Sequence, residues 1–153
     1  MEPNKTSESR VVAFIDIGTN SIRLLLVRIN PNGSYLPLTK QKEAVRLGDK
    51  GFIDKILQPK AMERAVIVCK KFMELARAYK AEEVIAVATS ATRDASNKVQ
   101  FLEMLKKEAH LEVSTISGNE EARLSIWEFQ TSSSWVILKP SLLISEEGVP
   151  KYR

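Results

Sequence analysis

The chain has 153 residues, 44% hydrophobic and 27% charged, enough for one domain with a buried core and unlike the apolar-poor, single-sign composition of disordered chains. Its 23 basic and 19 acidic residues are interspersed and leave a net charge of +4, which provides no nucleic-acid arm but favours a polyanionic substrate. One cysteine, Cys69, excludes an internal disulfide and fits a reducing compartment, and no signal-like segment or run of roughly 20 apolar residues is present. The expectation is a soluble cytoplasmic protein acting without nucleic acid or membrane.

In chain order, Met1 to Ser9 are polar and read as a disordered leader. From Val11 to Ile29, VVAFIDIGTNSIRLLLVRI, two runs rich in Val, Ile and Leu flank the polar turn Gly18-Thr19-Asn20-Ser21, the pattern of strand, tight loop, strand. Asp16 closes the first strand, and Gly18 lets the backbone turn without a Cβ clash. Successive N–H groups and three polar side chains in such a loop can bind phosphate as a nest does, with Asp16 in reach of a metal paired with it. A hairpin whose turn is merely polar fits the same four residues, since short turns use them routinely.

Asn30-Pro31-Asn32-Gly33 carries an Asn-Gly pair that favours a tight hairpin, so Ser34 to Lys40 should return as a third antiparallel strand, with Glu43 to Leu47 as its extension. Gly48 to Gly51 is a loop. After Pro59, Met62, Val66, Cys69, Met73 and Ala76 recur at steps of three and four, predicting an amphipathic helix with Cys69 as a buried structural thiol. Glu83 to Ala88 reads as a strand covered on both faces. A second helix is expected from near Ser96, with Val99, Leu102, Leu105 and Ala109 as its stripe and the single histidine, His110, at its end. Glu112 to Ile116 is a further strand, and Ser117-Gly118-Asn119-Glu120 fits a capping box opening a third helix.

The order is β-β-β-α-β-α-β-α, an α/β arrangement with helices packed on a mixed sheet. Sites in such sheets collect at strand ends, which here carry the loops Gly18 to Ser21, Thr89 to Asp94 and Ser117 to Glu121. Arg93 could grip a phosphate through two hydrogen bonds, or form a surface salt bridge with Asp94 or Glu121.

Three segments, DIGTNSIRLLLV (Asp16 to Val27), ATSATRDASN (Ala88 to Asn97) and ISGNEEARL (Ile116 to Leu124), together resemble the start of the exopolyphosphatase and guanosine pentaphosphate phosphohydrolase family. That family belongs to the actin, sugar kinase and heat-shock chaperone superfamily, so the resemblance implies a ribonuclease H-like fold over residues 10–124. It also implies release of terminal phosphate from inorganic polyphosphate or guanosine pentaphosphate, with Mg2+ or another divalent cation, by proteins that form homodimers. On this resemblance Gly18, Thr19, Asn20 and Ser21 make the first phosphate loop, Arg93 binds substrate phosphate, and Glu121 orients or deprotonates the attacking water. Asp16 would be a metal ligand. A phosphoanhydride concentrates negative charge, so a carboxylate to orient water and cationic groups to offset the transferred phosphoryl are what the chemistry needs. Glu120 and Glu121 point about 100° apart on a helix and cannot share one role; Glu120 is expected to complete the cap.

After Leu124 the resemblance stops, where the family continues into a second phosphate loop of the form DIGGGSTE. Residues 125–153 lack periodicity, yet a one-base shift lets Leu143 to Lys151 decode as Asp-Ile-Gly-Gly-Gly-Ser-Thr-Glu, for example from ATA TCG GAG GAG GGA GTA CCG AAG after a leucine codon ending in G. The same shift turns Leu124 to Phe129 into Ile-Tyr-Leu-Gly-Val. The expectation is therefore a frameshifted tail from a single-base deletion near the Leu124 codon, on a truncated and inactive N-terminal half. The alternatives are a short paralogue acting as a non-catalytic phosphate-binding or interaction module, and a sugar or acetate kinase-like fragment, against which ISGNEEARL argues.

Overall fold

The computed structural model describes residues 8–48 and 54–117. Most of the expected leader, the capping box, Glu120, Glu121 and the 125–153 tail lie outside the described residues. Five strands, β1 (Arg10–Ile17), β2 (Ser21–Ile29), β3 (Tyr35–Ala44), β4 (Glu83–Ala88) and β5 (Ser114–Thr115), form one sheet in the order β3-β2-β1-β4-β5. β1 pairs antiparallel with β2, and β2 with β3, while β4 runs parallel to β1 and to β5. The helices are α1 (Pro59–Ala78), α2 (Ser90–Asp94) and α3 (Lys98–Ala109). Among the described residues no helix is long and apolar enough to cross a membrane.

The meander follows from local chemistry. Gly33 N–H donates to the Asn30 carbonyl at 2.9 Å and Asn30 N–H to the Ser34 carbonyl at 2.8 Å, so the chain reverses over Asn30 to Gly33, with Gly33 left-handed at φ +80°. β3 runs without interruption from Tyr35 to Ala44, taking in the start of the expected extension at Glu43 but not Val45 to Leu47. Pro37, which has no N–H to donate, sits on this outer strand beside the register shift between Leu26 and Val27.

α1 opens with Pro59 in its first turn, where the missing N–H costs nothing, and buries Ala61, Met62, Ala65, Val66, Cys69, Phe72 and Ala76. The expected stripe holds, but Phe72 rather than Met73 is the fully buried large side chain. α3 starts at Lys98, two residues past Ser96, whose N–H donates to the Lys55 carbonyl at 2.8 Å. Its buried face is Phe101, Leu105 and Ala109, so Leu105 and Ala109 of the expected stripe hold, while Val99 is 61% exposed and Phe101 is the buried residue of the first turn. Asn97 clamps the start of α3 to that of α1, its amide accepting from Leu57 N–H and donating to the Leu57 carbonyl, both at 2.9 Å. His110 is exposed and takes the left-handed position that ends α3.

α1 and α3 cover one sheet face, packing on Ala13, Ile15, Ile17, Ile22, Leu24, Leu26 and Ala86. The alternate residues Val12, Leu25, Val27 and Ile85 form a separate apolar cluster on the other face. Two expectations change at the strand ends. Thr89 to Asp94 is not a loop: Ser90 to Asp94 make a helical turn, with Arg93 N–H on the Thr89 carbonyl at 2.9 Å and Ala91 and Thr92 turned inward. β5 is only two residues long, since the ladder with β4 engages Ser114 and Thr115 alone.

Candidate functional site

The β1–β2 connection is a two-residue turn. Gly18 N–H bonds the Ser21 carbonyl at 3.0 Å, leaving Thr19 and Asn20 at the tip. A Cβ on Gly18 would stand 3.0 Å from that same oxygen, which accounts for the glycine. The polar hairpin and the anion-binding loop are thus the same object, and what decides its use is where its backbone groups point.

The segment after β3 answers this. Val45 and Arg46 N–H both donate to the Asn20 carbonyl, at 2.9 and 3.0 Å, and Gly48 N–H donates to the Thr19 carbonyl at 3.1 Å. Arg64 of α1 braces the arrangement from behind by donating to the Val45 carbonyl at 2.8 and 3.2 Å. The turn's carbonyls are therefore tied down, while among the described residues neither Thr19 nor Asn20 N–H donates a hydrogen bond. Donors on an immobilised turn, with the acceptors withdrawn, suit an anion. Gly48 makes the close approach sterically feasible, since a Cβ there would lie 2.5 Å from Thr19 Cγ2.

The second strand end meets the first. Thr89 N–H bonds the Ile17 carbonyl at 3.1 Å, and Thr19 Oγ1 lies 2.9 Å from Ser90 Oγ. Arg93, three residues on, pairs with Asp94 through Nε–Oδ1 at 2.9 Å and Nη2–Oδ2 at 3.2 Å, and Nη1 donates to the Ile116 carbonyl at 3.3 Å. The salt bridge with Asp94 is thus present, and the Arg93 guanidinium holds the Asp94 carboxyl below its ordinary range. Water screens such a solvent-facing pair, so it does not bar a more highly charged phosphate from Arg93. The contact to Ile116 also ties Arg93 to the residue that follows β5, just before Ser117.

Asp16 is the penultimate residue of β1, opposite Arg23 on β2 and Val87 on β4. Its Oδ1 is buried, and the residue is engaged in a side-chain interaction. Among the described residues no three acidic, histidine or cysteine side chains gather into a metal cage. Magnesium needs no such cage, because it commonly binds one or two carboxylates and completes its shell with water and substrate phosphate. A hard carboxylate oxygen at this strand end fits that mode.

Of the sequence-derived residues, the Gly18 to Ser21 turn meets Ser90 through Thr19, and Arg93 is tied to Ile116; Glu121 lies outside the described residues. Sequence reading included Ser90 within the Thr89 to Asp94 segment without singling it out, and missed Gly48, the backbone N–H of Arg46 and Arg64. The paired glycines in GDKG were a signal for a close approach, whereas nothing local marked Arg64.

Sheet order and strand directions define a ribonuclease H-like α/β protein with an anion-suited turn at the end of β1. Residues 25–133 match the profile of the Ppx/GppA phosphatase family. The chain is 36% identical over 119 residues to the bifunctional 3-dehydroquinate synthase/phosphatase of Fusobacterium nucleatum, covering 74% of this chain and 18% of that one. The crystal structure of the Aquifex aeolicus Ppx/GppA family member superposes with a TM-score of 0.73 at 34% identity, covering 79% of this chain and 39% of that one. An exopolyphosphatase from Cytophaga hutchinsonii superposes with a TM-score of 0.74 at 35% identity, covering 80% and 39%. This chain belongs to the Ppx/GppA phosphatase family. It spans less than two fifths of the length of each of these three relatives.

Proposed function

We propose that this chain supplies the phosphate-holding half of a phosphohydrolase that removes terminal phosphate from inorganic polyphosphate, with guanosine pentaphosphate as the competing substrate. The observation that carries the reading is the pinned turn: the Thr19 and Asn20 carbonyls are held by residues 45–48, while the two N–H groups make no bond among the described residues.

On this reading the Thr19–Asn20 turn and the Ser21 hydroxyl hold the terminal phosphate, and the hydroxyls of Thr19 and Ser90 fix each other. Arg93 offsets charge on the transferred phosphoryl, exchanging its carboxylate partner for phosphate oxygens. Asp16 would hold magnesium, which when bound supplies further charge neutralisation. Glu121 is assigned the orientation or deprotonation of the attacking water. The reading is supported by exopolyphosphatases among the similar proteins. A cytoplasmic location and a homodimeric complete enzyme, working without nucleic acid, go with it. A non-catalytic phosphate-binding module is the second reading, because the turn alone binds without hydrolysing.

The test is phosphate release from polyphosphate and from guanosine pentaphosphate, with and without magnesium, by protein expressed from the gene with one base restored near the Leu124 codon. Release from polyphosphate is expected. Tight binding of both compounds without release would favour the non-catalytic module.

A further inference from the structure

A charged row crosses the sheet on the face turned away from α1 and α3. Lys42 on β3 is the ladder partner of Arg23 on β2, which in turn partners Asp16 on β1. Directly paired residues project to the same face, and their sequence neighbours to the other. Glu43 confirms the assignment: it projects toward the helices and forms an ion pair with Lys71 of α1 at 2.6 Å. Ser21, paired with Ala44, stands on the same face as Lys42 and nearer the turn.

Beyond this row lies an open depression of about 510 Å3, lined by Asn20, Ser21, Lys42, Ala44, Arg46 and Gly48. It begins at the phosphate-suited turn and extends toward the outer strand. Both of its basic side chains, Lys42 and Arg46, are exposed. Arg46 is fixed beside the turn by its own N–H on the Asn20 carbonyl at 3.0 Å, with a left-handed φ of 50°. Arg10, Lys70, Lys71, Arg93 and Lys106 each face a carboxylate within 3.5 Å. Among the described residues neither Lys42 nor Arg46 forms an ion pair, which is true of Lys60 and Lys107 as well, so what sets Lys42 and Arg46 apart is their place in the depression beside the turn. Two cations without carboxylate partners, leading away from a turn suited to one phosphate, match a ligand that repeats its negative charge along its length.

We propose that Lys42 and Arg46 form a distal anion subsite, which holds phosphates further along a linear polyphosphate whose end sits on the Thr19–Asn20 turn. This rests on the phosphate-holding reading of the turn and adds a direction, from the turn across the end of β3. The subsite makes affinity depend on chain length. Pyrophosphate occupies the turn alone, whereas a long chain also engages Lys42 and Arg46. Because both side chains are exposed, the added affinity should weaken as salt rises.

The experiment titrates the 153-residue chain with pyrophosphate and with a long linear polyphosphate, in parallel with three variants. The wild type should bind the long chain more tightly than pyrophosphate. Lys42→Gln combined with Arg46→Gln should lose about 2- to 30-fold in affinity for the long chain at low salt, as expected for two surface charge contacts, and lose much less for pyrophosphate, because Arg46 holds the turn through its backbone N–H, which glutamine keeps. Lys60→Gln combined with Lys107→Gln removes the same charge elsewhere and should keep the long-chain advantage. Ser21→Ala should weaken both ligands. An unchanged long-chain advantage in the Lys42/Arg46 variant overturns the subsite while the turn reading stands. Equal loss in the Lys60/Lys107 variant also overturns it, in favour of general charge attraction. Failure of the wild type to bind either compound overturns the turn reading and the subsite together.

Discussion

Thr19 Oγ1 and Ser90 Oγ lie 2.9 Å apart although 71 positions separate them in the chain. Their hydrogen bond fastens the tip of the first hairpin to the first residue of α2, so two strand ends act as one surface. Its removal should be felt in the turn's geometry as well as in stability. In a double-mutant cycle with Thr19→Val and Ser90→Ala, a coupling of about 0.5–1.5 kcal/mol is expected from thermal or urea unfolding. Strict additivity would mean the two hydroxyls do not support one another.

Gly48 faces the same threonine from the other side. In Gly48→Ala the new methyl would meet Thr19 Cγ2 at 2.5 Å, displacing the turn whose carbonyl Gly48 N–H holds. The expected cost is about 1–3 kcal/mol of stability, together with weaker pyrophosphate binding. Adding Thr19→Ser deletes the clashing methyl but keeps the hydroxyl, so it should recover most of both losses. If the double variant melts no higher than Gly48→Ala alone, the clash is not the cause.

Cys69 sits fully buried in the stripe of α1, and burial pushes its thiol up to about 12. The unfolded thiol ionises near about 8.5, so above that pH the unfolded chain holds fewer protons than the folded one and stability falls as pH rises toward 12. Cys69→Ala should show a shallower alkaline decline than wild type, whatever its stability at neutral pH. Labelling by a thiol reagent at pH 8 should proceed only at the rate of unfolding. Rapid labelling of the native protein would show that the thiol is accessible.

The frame and the water-orienting carboxylate are tested together. Purified 153-residue chain should release little phosphate from polyphosphate, and the nucleotide sequence after Leu124 should encode Asp-Ile-Gly-Gly-Gly-Ser-Thr-Glu one base out of frame. In the restored protein, Glu121→Gln should lower turnover about 100-fold or more, as removal of a general base does. Glu120→Gln should largely spare it, since glutamine also serves a capping box. A larger loss at Glu120 would exchange the two assignments, and a stop codon before the glycine loop would end the frameshift account.

The sequence by itself determined the elements whose burial repeats along a single stretch. The β1–β2 pair, the α1 stripe around Cys69 and β4 from Glu83 to Ala88 were legible because apolar spacing reports the face that each element buries. The Gly-Thr-Asn-Ser turn was legible as a turn, since Gly18 avoids a contact that is local, with the Ser21 carbonyl. Only the tertiary structure decided that its carbonyls are occupied, because the bonds come from Val45, Arg46 and Gly48, brought there by the register of β3 on β2. The helical turn at Ser90 to Asp94 was equally hidden: its five residues are too few to show a period, and Ala91 and Thr92 are buried by distant packing. Lys42 and Arg46 carried no local signal at all. Their meeting with Asn20 and Ser21 depends on strand order and register, which set neighbours across the sheet and are not written in the spacing along any one strand.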